Sequence, residues 1–106
     1  MVNDEVEREI RKELDKTRVL KWTEALRGFA PKSNKQMELY VKDFPEKGEV
    51  FKDIMAFFDK FGRFVSEERL VQIIRSVQSE LGRVNFNMAK LAAVKQYMKY
   101  FTGEHS

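Results

Sequence analysis

The sequence predicts an all-α protein, a compact bundle of about five helices that forms one domain over residues 1–106. Three observations predict it. Apolar residues recur at spacings of three and four along most of the chain, and no stretch alternates with period two for long enough to make a strand. The only two prolines, Pro31 and Pro45, fall where the helical pattern stops. Gly28, Gly62, Gly82 and Gly103 each stand just past an apolar-periodic segment, where a helix end favours a left-handed residue.

The first helix is expected over residues 4–27. Asn3 is placed to cap it, and Asp4, Glu5, Glu7 and Glu9 suit the positive end of its dipole. Val6, Ile10 and Leu14 form one apolar stripe. Val19, Trp22, Leu26 and Phe29 form another, rotated by roughly a quarter to a third of a turn at about 100° per residue. Either the helix kinks near Asp15-Lys16-Thr17, or its halves face different neighbours and the first half offers a self-association surface.

The second helix opens on Ser33-Asn34-Lys35-Gln36, a capping box, carries Met37, Tyr40, Val41 and Phe44 on one face, and ends at Pro45. The third, over 49–61, is apolar around most of its circumference, which predicts a central position; Gly62 closes it. The fourth starts at the cap Ser66, with Val65 and Leu70 at hydrophobic-staple spacing, and ends at Gly82. The fifth repeats this logic with the cap Asn87 and the staple pair Phe86 and Leu91, and ends at Gly103. The expected core is Phe51, Ile54, Met55, Phe58, Leu70, Ile73, Ile74, Val77, Leu91, Val94 and Met98.

Composition narrows the function classes. The charged fraction, 35%, exceeds the usual quarter and suits long helices with charged outer faces, while nine Phe, three Tyr and one Trp supply packing groups that a disordered chain lacks. The absence of Cys excludes disulfides, thiolate catalysis, iron–sulfur clusters and cysteine-based zinc sites, and favours an intracellular location. No run approaches 18 apolar residues, so no membrane span is expected, and the acidic, polar opening Val2-Asn3-Asp4-Glu5 is wrong for a secretory or mitochondrial signal. A cytoplasmic protein is the expectation.

Catalytic constellations are not found. His105, the only histidine, sits one residue from the end, where nothing holds it in place. The acidic residues near the N-terminus lack the ligand spacing of a calcium loop. Ser33 and Ser66 are accounted for as helix caps, with no histidine to activate them, and no glycine-rich phosphate loop occurs. A non-enzyme without cofactor or metal is expected.

The informative signal is charge. Residues 60–102 hold eight Lys and Arg against three Glu, an excess of five, while the rest of the chain is acidic by two. Lys95 and Lys99, four apart, share a face of the fifth helix; Lys90 lies on another side. Arg83, just before that helix, and Arg75, midway along the fourth, extend the patch, and Tyr97 and Tyr100 stand beside the lysines, where each ring either stacks on a base or is partly buried. The expected site is therefore Arg75, Arg83, Lys95 and Lys99 on an RNA or DNA backbone, within a larger nucleoprotein complex. The competing expectation is a protein–protein adaptor, or a homodimer through the first helix.

Several segments resemble known proteins. Arg27-Gly28-Phe29-Ala30 resembles the opening of the RNA-recognition-motif signature, but Pro31-Lys32 replaces the pair that should follow, and the segment sits at a helix end where the motif needs a strand. Residues 49–82 resemble a helix-turn-helix in outline. Phe58 stands where that motif wants a small residue and Glu68 where it wants an apolar one, so an ordinary αα-hairpin is expected. Residues 87–101 resemble the last helix of the core-binding domain of tyrosine recombinases. The basic five-helix design, with Val65-Ser66-Glu67-Glu68-Arg69 opening its fourth helix, is similar to the small helical subunits of CRISPR effector complexes, which implies a non-catalytic nucleic-acid-binding role.

Overall fold

A computed structural model describes residues 4–103. Six helices and no strand occur among them: α1 (Asp4–Glu13), α2 (Lys16–Leu26), α3 (Asn34–Asp43), α4 (Lys47–Phe61), α5 (Glu67–Glu80) and α6 (Met88–Thr102). The all-α class holds; the count is six where about five were expected. Asn3 and His105 lie outside the described residues. No helix among the described residues is long and apolar enough to cross a membrane.

The sixth helix comes from a break in the expected first one. Asp15 adopts extended backbone and its Oδ1 accepts a hydrogen bond from the Arg18 N–H at 2.8 Å, so it caps a new helix rather than continuing the old one. The two offset stripes thereby reach a single core: Ile10, Leu14, Val19, Trp22, Leu26 and Phe29 are all buried within it. Of the stripe that suggested self-association, Ile10 and Leu14 are buried and Val6 is partly buried against the same core.

Most other boundaries follow their caps. Ser33 Oγ accepts from the Gln36 N–H at 3.1 Å, Ser66 Oγ from the Arg69 N–H at 3.2 Å, and Asn87 Oδ1 from the Lys90 N–H at 2.8 Å. The capping box is shifted on its return side: Gln36 Oε1 accepts from the Lys32 N–H, not from Ser33. Both staple pairs, Val65 with Leu70 and Phe86 with Leu91, are buried. Gly28, Gly82 and Gly103 have positive φ, but Gly62 does not; at φ −63° it leaves α4 in right-handed backbone, with its N–H bonded to the Phe58 carbonyl at 2.8 Å.

α4 begins two residues earlier than expected because Glu46 already has helical backbone. It packs on α2 and α6 and buries Phe51, Ile54, Phe57, Phe58 and Phe61. Of the expected core, Met55 and Met98 are only half-buried; the others are buried. Phe58 is buried and Glu68 exposed, as an αα-hairpin requires, and Phe29 is fully buried, so it cannot present its ring as an RNA-recognition motif would.

Tyr97 centres an aromatic cluster, with ring centroids 4.7 Å from Phe51, 5.9 Å from Phe29 and 6.1 Å from Phe101. A second, polar cluster fixes α2 to α5. The fully buried Gln78 donates from Nε2 to Thr23 Oγ1 at 3.0 Å and to Asn85 Oδ1 at 2.8 Å, and Asn85 Nδ2 donates to the Thr23 carbonyl at 2.8 Å. α6 runs antiparallel to both α4 and α5: Gly48 at the start of α4 meets Phe101 near the end of α6, and Glu67 at the start of α5 meets Lys95 midway along α6.

Candidate binding surface

The structure does not gather the four expected site residues into one cluster. Arg75 stands midway along α5, and its Nη1 donates to the Phe86 carbonyl just ahead of α6. Arg83 is exposed in the turn after Gly82 and makes no ion pair among the described residues. Lys95 and Lys99 project from α6 about two and three turns past its start, whereas Arg75 meets Phe86 ahead of that start, and the two lysines line the groove between α6 and α4.

The basic excess of residues 60–102 is largely engaged by the chain itself. Arg69 Nη2 lies 2.6 Å from Glu7 Oε1, Lys60 pairs with Glu13, and Lys95 Nζ lies 2.8 Å from Glu67 Oε2. Lys90 Nζ donates to the Leu26 and Phe29 carbonyls at the C-terminal end of α2, where a cation complements the helix dipole. Burial, with a smaller contribution from the Lys47 charge, pushes the Lys90 ammonium below its ordinary pKa. Arg75, Lys60, Arg69, Lys90 and Lys95 thus all have partners in this fold. For two of them, Lys60 and Arg69, the partner is a glutamate of the acidic α1.

Of the two readings of the tyrosines, the structure favours burial. Tyr97 is completely buried, and its hydroxyl donates to the Phe44 carbonyl. Burial, together with the Glu46 and Tyr40 charges, pushes its pKa up to about 12. It cannot stack on a base. Tyr100 is half-buried beside Val41 and Lys42.

What remains is the α4–α6 groove, an open cleft of about 460 Å³. Lys52 rises from α4 on one bank, and Lys95 and Lys99 rise from α6 on the other. Met55, Ala56 and Met98 form the floor, Asp59 stands near the Lys95 end, and Thr102 closes the Lys99 end. Neither Lys52 nor Lys99 makes an ion pair among the described residues. Lys52 was invisible to a charge count over 60–102. Its signal was its place on α4, four residues before Ala56 and seven before Asp59 and so on their face of the helix. Comparison with protein-family models, curated proteins and solved structures finds no match for this chain.

Proposed function

We propose that this chain is a non-catalytic binding module that holds an anionic partner against its α4–α6 side, as a small component of a larger assembly. The observation that carries the reading is the convergence of Lys52, Lys95 and Lys99 on one groove. Lysine supplies a compact, strongly hydrated point charge suited to phosphate or carboxylate.

A nucleic-acid backbone is one such partner. Each phosphate neutralised by a lysine releases condensed counterions, so affinity should fall as salt rises, with a log–log slope near −0.9 per contact on duplex DNA and about −0.7 on single strands. The groove holds no Arg, Asn or Gln to read base edges, so little sequence preference is expected. Three contacts alone give affinities no better than the non-specific range of about 10⁻⁴–10⁻⁶ M, which is why an assembly must supply the rest. A protein partner is favoured by a different observation: the floor of the groove is apolar.

A salt titration of binding to generic DNA and RNA, on wild type and on the Lys95→Glu, Lys99→Glu double variant shown folded by circular dichroism, tests the nucleic-acid reading. The double variant should lose most of its affinity at low salt. Equal binding by both proteins, or none by wild type, contradicts it.

A further inference from the structure

We infer that the α4–α6 groove seats one amphipathic helix of a protein partner, apolar along one face and flanked by carboxylates. The inference rests on the anionic-partner reading above and names its chemistry. Three features of the groove carry it.

The first is shape. α4 and α6 lie side by side and antiparallel, and a third helix packs along such a seam by setting its ridges into the groove between them. From Lys52 to Asp59 the seam is about 10 Å long, which spans roughly two turns of a helix.

The second is the floor. Met55 and Met98 are half-buried and Ala56 is exposed, so an apolar, adaptable strip lies open between the lysines. Methionine is unbranched and polarizable and moulds to an apolar ridge. A sugar–phosphate backbone gains nothing from that strip and meets the Asp59 carboxylate on its way.

The third is charge. Lys95 and Lys99 are four residues apart, the same spacing at which two carboxylates share one face of a partner helix. Lys52 faces them from the other bank. Two acidic groups offset part of this charge, Asp59 in the groove and Glu67 on Lys95, and both lie toward one end. The uncompensated ammonium groups of Lys52 and Lys99 lie toward the other. The partner's carboxylates therefore concentrate at the Lys52–Lys99 end, and its C-terminal end, negative by the helix dipole, points the same way.

The experiment uses the full chain, a labelled synthetic helix of about 18 residues, or five turns, with leucines on one face and glutamates flanking them, and the same peptide with every glutamate changed to lysine. A single-stranded oligonucleotide is the third probe. The acidic peptide should bind at least tenfold more tightly than its lysine counterpart. Ala56→Arg, an exposed position, should weaken the acidic peptide at least tenfold by blocking the floor, yet leave the oligonucleotide's affinity equal or higher, because it adds a cation. If the two peptides bind alike, or if Ala56→Arg spares the acidic peptide, the seated helix is wrong. Binding of the oligonucleotide with no binding of the acidic peptide overturns this inference and leaves the anionic-partner reading standing. Failure of all three probes overturns both.

Discussion

Arg18 holds Asp53 through two parallel hydrogen bonds, Nε to Oδ2 at 2.8 Å and Nη2 to Oδ1 at 2.9 Å, across 35 residues of sequence. Trp22 Nε1 donates to the same Oδ2 at 2.9 Å, so the start of α2 is fixed to α4 immediately after the break that separates it from α1. Burial pushes the Asp53 carboxyl up, but the bonds from Arg18 and Trp22 and the Arg18 charge outweigh it and hold the group below its ordinary value.

A lowered folded-state pKa makes a definite pH dependence. The stabilisation is fully present above the ordinary aspartate value, about 3.9, and is lost as pH falls through the lower folded value. A hydrogen-bonded charge contributes about 1.5–3 kcal/mol when dry. With 45% of the Asp53 side chain exposed, screening reduces that to about 1 kcal/mol. Asp53→Asn should therefore lower stability in urea at neutral pH by about 1 kcal/mol, and the difference from wild type should shrink as pH falls below the ordinary aspartate range. A difference that does not change with pH contradicts the assignment. Glu13, also held low by Lys60, leaves the variant some acid sensitivity of its own.

Gln78 is the most buried polar side chain of the core, and its bonds to Thr23 and Asn85 have no substitute. Gln78→Leu fills similar volume but leaves the Asn85 Oδ1 and its N–H without their partner. The expected cost is about 1–3 kcal/mol, read as a lower urea midpoint. An unchanged midpoint means that the cluster contributes nothing to stability.

Gly48 lies where a Cβ would run into the ring of Phe101. In a free helix, Gly→Ala stabilises by about 1 kcal/mol. Here Gly48→Ala should destabilise the protein, and the sign should reverse in a Phe101→Ala background. The two thermal denaturation pairs form a double-mutant cycle, and equal effects of Gly48→Ala in both backgrounds contradict the contact.

Ile10 is the only buried residue of α1. Ile10→Glu places a charge in the core and should unfold the chain at least in part, seen as lost helical circular dichroism. A folded monomer that replaces a wild-type dimer, measured by light scattering, would instead put Ile10 in an interface between copies.

The residues explain what the sequence disclosed and what it hid. Ser33, Ser66 and Asn87 cap their helices through bonds spanning three residues, so local spacing was enough to find them. Asp15 works the same way, but it stands inside a continuous apolar pattern, and only the rotation between the two stripes betrayed it. The site was less legible because its charges are settled by distant partners. Arg69 meets Glu7 across 62 residues and Lys60 meets Glu13 across 47. A sum over one stretch counts such cations as available when the fold has already used them. Lys52 was missed for the opposite reason: it lies outside the basic stretch and becomes part of a basic surface only when α4 packs against α6.

Mapping the contact itself tests the α4–α6 groove as the binding surface most directly. The ¹⁵N-labelled chain is titrated separately with the single-stranded oligonucleotide and with the acidic helical peptide, and backbone amide shifts are followed. At least one probe should bind, with the largest shifts on Lys52, Ala56, Lys95 and Lys99, fading as salt rises. Shifts centred instead on Arg75 and Arg83, or spectra unchanged by either probe at low salt, contradict it.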